Sequence, residues 1–203
     1  MRYYMFNKPR GCITACRDER HKTVMDYFSE CDSKGLFPVG RLDKDTEGFL
    51  IVTDDGEFCN KVNSPKSEVS KTYRFWARGS LTQEKLMELE RGVFISAIPD
   101  RPTAPAKVKR LGEATLLDIA HLLDEDEKRL RLTKRGSIPI THVEIEITEG
   151  KKHQVKKMAQ AVGMYVVYLE RIAISSVRLD SELPRGKYRP LSEDEINQIK
   201  NSK

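Results

Sequence analysis

The stretch GRLDKDTEGFLIVTDDGEF, Gly40 to Phe58, constrains this fold more than any other. Its middle, FLIVT (Phe49–Thr53), is a short unbroken run of large and β-branched apolar residues. Bounded by glycine and aspartate, such a run reads as a strand covered on both faces, because a half-exposed strand alternates and a buried helix runs longer. A strand of that kind needs packing on both sides, so the chain must build a layered sheet around it. The turns at its ends carry the acids. Asp43, Asp45, Glu47 and Gly48 fall at positions 1, 3, 5 and 6 of a calcium-loop pattern. The flanks refuse it. LFPVGRL stands where a helix should enter, FLIVT where one should leave, and the twelfth position is Asp54 instead of a bidentate glutamate. The other reading is a tight turn in which Asp45, Thr46 and Glu47 do local turn work, and Asp43 is a single working carboxylate.

The remaining elements follow from periodicity and punctuation. YYMFN (Tyr3–Asn7) is a first strand, stopped by KPRG. TVMDYF (Thr23–Phe28) is a short amphipathic helix, GLFPVG is extended, and a short helix runs from Glu57 to Asn63. KTYRFWARG (Lys71–Gly79) is a strand. LTQEKLMELERGV is a helix with Thr82 as N-cap and Gly92 as stop. AKVKRL and ATLLDIAHLL are read as two more strands, and DEDEKRLRLTKRGS (Asp124–Ser137) as a charged connector. THVEIEITEG (Thr141–Gly150) alternates and is a half-exposed strand. KKHQVKKMAQAVG (Lys151–Gly163) is a helix ended by glycine. YVVYLERIAISSVRL gives two short strands with a break, and LSEDEINQIK a last helix with a Ser192/Glu195 capping box. Strands outnumber helices and do not alternate strictly with them. The expected class is α+β, with a mixed, mostly antiparallel sheet and flanking helices.

The chain has 203 residues and a net charge of +5. The length suits one domain over residues 1–203, with room for two subdomains flanking a central cleft. The charge permits a polyanionic partner without demanding one. No apolar run approaches a membrane span, and the N-terminus has no apolar signal segment, so the expectation is a cytoplasmic monomer with no membrane partner. Cys12, Cys16, Cys31 and Cys59 are unevenly spaced and read as reduced thiols. A zinc set of Cys12, Cys16, His21 and Cys31 fits no common spacing. No phosphate loop or dinucleotide fingerprint is present.

Four segments in order then carry a resemblance: NKPRG from Asn7, GRLDKDTEG from Gly40, KTY at Lys71–Tyr73, and EGKKHQVKKM at Glu149–Met158. Together they resemble the pseudouridine synthases, in particular the branch that modifies bacterial ribosomal RNA. EGKKHQVKKM, VGMYVVYLERIAI and GKYRPLSEDEI are most similar to its small-subunit members. The likeness runs from Asn7 to about Ile196, nearly the whole chain. That branch commonly carries a small basic RNA-binding module of the S4 type ahead of NKPRG. Here the first strand begins at the N-terminus, so a catalytic domain without that module is expected.

The resemblance implies an isomerisation in which the base of a uridine leaves C1′ through N1 and rejoins it through C5. Nothing is oxidised or consumed, and no cofactor or metal is implied. The aspartate of GRLD carries over to Asp43 as nucleophile. A carboxylate in a pocket closed over a base needs a cation to stay ionised. The family places a basic residue after Gln-Val, here Lys156; without the resemblance it is one lysine among several on an exposed helix. Tyr73 is implied as the ring under a flipped-out base, though alternation on its strand also fits a core residue. Arg41 is a candidate for a phosphate contact or for filling the gap left by the base. Lys71 is either a pocket support or a surface lysine. Lys8, His153 and Gln154, within matched motifs, complete the expected substrate contacts. Basic residues in NKPRG, PAKVKR and KKHQVKK would hold RNA backbone, and Tyr3 and Tyr4 are either core or stacking surface. The implied partner is ribosomal RNA or a pre-ribosomal particle, with 16S RNA as the first reading. A 23S enzyme and a non-catalytic assembly factor are the alternatives.

Overall fold

The computed structural model describes residues 1–29, 32–123, 125 and 137–202. The chain divides into two compact units, one formed by Met1–Thr72, Thr148–Gly150 and Glu170–Lys203, the other by Tyr73–Ile147 and Lys151–Leu169.

In the first unit, strand β1 (Tyr3–Lys8) pairs antiparallel with β3 (Glu47–Thr53), Tyr3 opposite Thr53 and Lys8 opposite Gly48. Every residue of β3 is buried, as the unbroken FLIVT run requires. The expected extended segment before it is strand β2 (Phe37–Val39), antiparallel to β3. The start of β3 also runs parallel to Glu170–Arg171 of β7 (Tyr165–Ile174). Strand β8 (Val177–Arg178) folds back on the end of β7, and β9 (Tyr188–Pro190), which the sequence did not suggest, pairs with β1. Helix α1 (Gly56–Asn63) is capped by Asp55, whose carboxylate accepts the Phe58 N–H at 2.9 Å. Phe58 and Val62 of this helix join Met5, Phe49 and Ile51 in one apolar core. Tyr4 stands edge-on to Phe28 and to Tyr188, so it belongs to packing and not to a free stacking surface.

In the second unit, strand β6 (Pro139–Ile147) lies between β5 (Lys107–Thr115) and β4 (Lys71–Arg78). β5 and β6 are antiparallel, with a bulge between Arg110 and Gly112. Val143, Ile145 and Ile147 of β6 face a core shared with Phe75 and Ala77 of β4, while the residues between them alternate outward. Helix α2 (Gln83–Arg91) starts at Thr82, whose hydroxyl accepts the Lys85 N–H, and stops at Gly92. Helix α3 (Gln154–Ala161) sends Val155, Met158 and Ala159 into the same core. The last helix of the chain, α4 (Glu193–Lys200), belongs to the first unit and has the expected Ser192/Glu195 capping box.

The fold is α+β, mixed and mostly antiparallel, as expected. Three local expectations are corrected. ATLLDIAHLL is not a strand: after Thr115 the chain turns, because the Asp118 carboxylate accepts the backbone N–H and hydroxyl of Thr115 at 2.7 and 2.8 Å. A short 3-10 turn, Ala120–Leu122, follows. A short apolar run has no period that separates strand from packed turns. Val24–Phe28 is likewise a 3-10 turn. The two strands expected in YVVYLERIAISSVRL are present as β7 and β8 with the break at Ser175 and Ser176, the first of them longer than expected. Helix α3 begins at Gln154 and not at Lys151, because His153 adopts the left-handed conformation, φ 55°. Most of the expected connector Asp124–Ser137 lies outside the described residues. Among the described residues, no helix is long and apolar enough to cross a membrane.

Candidate active site

The GRLD turn sits in the first unit, and side chains and backbone from the N-terminal loop hold it. Asp43 itself is half-buried. The Thr46 N–H donates to Asp43 O at 3.1 Å, closing a turn over exposed Lys44 and Asp45. On the N-terminal side, the Leu42 N–H donates to Thr14 Oγ1 at 3.1 Å, and the Thr14 hydroxyl donates to Leu42 O at 2.7 Å. On the outer side, the Gly11 N–H donates to Lys44 O at 2.8 Å. On the C-terminal side, Lys8 Nζ donates to Thr46 O at 2.8 Å and to Pro9 O at 2.9 Å.

Lys8 is fully buried, which corrects the expectation of a substrate contact. Its donors are directed at backbone carbonyls. Burial pushes its ammonium below its ordinary value, while Cys12, Glu47, Asp45 and Asp43 oppose that shift. A buried cation under the turn stabilises negative charge on it.

Glu47 is also corrected. It is not turn chemistry but the first residue of β3, buried, with a carboxylate oxygen 2.7 Å from Arg185 Nε. With Glu47 committed to Arg185, the calcium-loop geometry does not form. Among the described residues, no three His, Cys, Asp or Glu side chains are grouped to hold a metal ion. Cys31, part of the zinc reading, lies outside those residues.

Behind the turn, Gly48 has φ +97°, and a Cβ built on it would lie 2.3 Å from Arg171 O. Only glycine allows β7 to approach this closely. Arg171 is buried, and its Nε donates to Phe49 O at 2.7 Å. Lys71 is buried as well, with Nζ donating to Val62 O at 2.8 Å, so of its two expected roles the structure favours internal support. Burial, and then the neighbouring Arg171 guanidinium, pulls Lys71 down to about 8. Arg41, beside Leu42 and Asp43, is exposed.

The other expected residues belong to the second unit. Tyr73 is half-buried and packs against the core beneath β4. Lys156 is half-buried on α3. His153 is exposed at the left-handed bend that starts this helix. Gln154 is buried, and its Oε1 accepts the Lys151 N–H at 2.8 Å, closing the bend.

Sequence reasoning missed Thr14, Arg171 and Arg185. Nothing local marks Thr14, whose partner is Leu42. Arg171 carried a signal: a single cation inside the apolar run LERIAI is a candidate for burial with a carbonyl partner. Arg185 follows a proline in a loop, and only the fold brings it to Glu47.

The family model for RNA pseudouridylate synthase matches residues 2–161. The chain is 39% identical over 96% of its length to an uncharacterized RNA pseudouridine synthase, YtzG, of Bacillus subtilis, covering 72% of that protein. It is 32% identical over 98% of its length to ribosomal small subunit pseudouridine synthase A of Escherichia coli K12, covering 74% of it. It is 36% identical over 98% of its length to ribosomal large subunit pseudouridine synthase B of Bacillus subtilis, covering 71% of it. A crystal structure described as a pseudouridylate synthase superposes with a TM-score of 0.78 at 31% identity, over 98% of this chain and 73% of that one. The chain belongs to the RNA pseudouridine synthase family.

Proposed function

We propose that this enzyme converts one uridine of ribosomal RNA, in the 16S molecule of the small subunit or its assembling particle, to pseudouridine. The observation that carries the reading is the Asp43 turn: a half-buried carboxylate on a backbone fixed by Thr14, Gly11 and Lys8. A nucleophile positioned this tightly loses little freedom on the way to the transition state. The target nucleotide flips out of its stack. The Asp43 carboxylate acts as nucleophile, and the N1–C1′ bond breaks. The freed base turns, C5 bonds to C1′, the bond to Asp43 is released to restore the carboxylate, the C5 proton leaves, and N1 ends protonated.

Lys156 supplies the cation that keeps Asp43 ionised under the base, Tyr73 gives the ring on which the base lies, and Arg41 contacts phosphate or fills the vacated stack. His153 contacts the RNA beside Lys156. Gln154, buried and bonded to Lys151 N, acts as a positioning residue for this helix start, and Lys8 and Lys71 do the same for the Asp43 side. The likeness to a small-subunit enzyme at 32% identity supports 16S. The comparable likeness to a large-subunit enzyme at 36% identity favours a second reading, a 23S uridine.

Pseudouridine mapping of both rRNAs, from cells with and without the protein, separates the two. The expected result is loss of one 16S site; loss of a 23S site establishes the second reading. Tritium release from C5-labelled uridine tests the chemistry. Asp43→Asn should release none, while Asp45→Asn, at the exposed tip, stays active. Release by Asp43→Asn above background overturns the nucleophile assignment, whereas no release by the wild type leaves an RNA-binding assembly factor as the surviving function.

A further inference from the structure

The loops around the Asp43 turn gather cations from three distant parts of the chain. Arg41 and Lys44 flank Asp43, and both are exposed. The Gly11–Lys44 hydrogen bond fixes the loop after β1 against this turn. A bend at Leu183–Lys187 is fixed beside the same loop. Asn7 Nδ2 donates to Leu183 O at 2.8 Å, the Gly186 N–H to Asn7 O at 2.8 Å, and the Asn7 N–H to Lys187 O at 3.0 Å. A Cβ at Gly186 would lie 3.1 Å from Tyr27 Cε1 and 4.0 Å from Pro9 Cγ, so the bend rests on both side chains. Lys22 Nζ stands 3.9 Å from the centroid of the Tyr27 ring, held there by cation–π attraction.

Arg185 is the most constrained of these cations. It leaves 44% of its side chain in solvent while buried Glu47 grips its Nε. That carboxylate orients the guanidinium before any ligand arrives. Half-buried Asp43 and exposed Asp45 share the turn with Lys44, two acids against the five cations Lys22, Arg41, Lys44, Arg185 and Lys187. Glu47 is committed to Arg185, and Asp26 accepts the Thr23 N–H at 2.7 Å. Lys22, Lys44, Arg185 and Lys187 are all exposed.

We propose that Lys22, Lys44, Arg185 and Lys187, with Arg41, form a phosphate-binding rim that holds the sugar–phosphate backbone of the nucleotides flanking the target uridine. The proposal rests on the reading of the chain as an enzyme of ribosomal RNA and assigns where that RNA is gripped. Cations on fixed loops next to the nucleophile suit backbone contacts, which set register without reading sequence. Each occupied phosphate releases counterions, so the rim contributes to affinity in proportion to salt.

The test uses Asp43→Asn as an inactive binder of full-length 16S and 23S rRNA, with affinity measured across a salt series. Lys22→Gln, Lys44→Gln and Lys187→Gln are combined, leaving the Glu47–Arg185 pair intact. A control combines Lys34→Gln, Lys66→Gln and Arg91→Gln, exposed cations outside the rim and outside the basic segments NKPRG, PAKVKR and KKHQVKK. The rim variant should lose about two to three units of slope in log affinity against log salt, with affinity down about 10- to 100-fold near 0.1 M salt. In the Asp43-intact background the loss should fall on KM. The control should keep the parent slope. A parent slope in the rim variant, with pseudouridine still formed by the wild type, overturns the rim alone. Equal losses in rim variant and control also overturn it, as an effect of net charge. A wild-type protein that forms no pseudouridine in any rRNA overturns both proposals.

Discussion

The Asp43 turn and the start of helix α3 present the two charges that the proposed chemistry needs, and they are built in opposite ways. The turn is held by distant residues: Thr14 clamps Leu42, Gly11 donates to Lys44, and buried Lys8 donates to Thr46. The helix start is held by near neighbours. His153 takes the left-handed bend, Gln154 accepts from Lys151 N, and Val155, Met158 and Ala159 press the helix into its core. A site held by long-range backbone bonds is rigid, and it breaks when the framework shifts. A site held by a local bend and an apolar face tolerates more framework change, and it breaks when its own side chain is removed.

The sharpest test of that contrast is Lys156→Met. The helix keeps its apolar face and its fold, yet turnover should fall about 10²- to 10³-fold as the carboxylate loses its cation. Lys156→Arg should lie within about tenfold of wild type, with the loss coming from altered geometry. Circular dichroism with tritium release reads both. Wild-type turnover by Lys156→Met would make Lys156 a surface lysine and end the comparison.

Backbone shifts come next. Gly48→Ala puts a Cβ 2.3 Å from Arg171 O at φ +97°, and Gly92→Ala puts one 2.2 Å from Thr103 O at φ +94°. Each should cost on the order of 3 kcal/mol or more, since backbone must move in both. They should differ in activity per folded molecule. Gly48→Ala disturbs the strand leading from the Asp43 turn and should lose turnover at temperatures where the protein stays folded. Gly92→Ala disturbs only the end of α2 and should not. Denaturant melts paired with turnover check this, and equal activity losses would show that the turn is no more framework-dependent than the rest.

The buried lysines give the turn side a pH signature. Lys71 sits at about 8 in the fold against an ordinary 10.5, so the unfolded chain binds more protons between these values. Stability therefore rises as pH climbs through that window, by at most ~3 kcal/mol, and Lys8, shifted in the same direction, adds in the same sense. Lys71→Met should remove most of its share of that rise while also losing the bond to Val62 O. Urea melts at pH 7.5 and 10 measure it. An identical rise in the variant would place the titration elsewhere.

What could be read from the sequence follows the same division. Local signals worked: the Thr82 and Ser192 caps, the Gly92 stop, the alternation of β6 and the buried run of β3 were all legible, because each depends on residues within a few positions. Helix α3 was legible in type but not in its start, since a left-handed histidine has no sequence mark. Lys8, Lys71 and Glu47 were read as residues for substrate or turn because their types favour surfaces. Their partners, Thr46 O, Val62 O and Arg185, lie 38, 9 and more than a hundred positions away, and only the fold brings them together. Asp43, Tyr73 and Lys156 enter the proposed site through motif order alone; the net that holds Asp43 was not legible in the sequence.

The smallest effect belongs to the second unit, where a titrating group lies on strand pairs and not on a turn. His142 stacks on Trp76, ring centroids 4.2 Å apart and planes 8° apart, on the face of β4 and β6 away from the shared core. Burial pushes its imidazole below 6.5, the Arg74 guanidinium adds to that, and Glu144, 2.9 Å from Arg74 Nε, opposes both. A depressed base binds fewer protons folded than unfolded, so stability is full at neutral pH and falls as pH drops below the ordinary value of the ring. His142→Phe keeps the stack and removes the proton site. Between pH 7 and 5 the wild type should lose more thermal stability than His142→Phe, by the order of 1 °C in Tm. Activity at pH 7 should stay the same in both, since the ring is already neutral there. Equal slopes in the two proteins would show that the stack does not resist protonation.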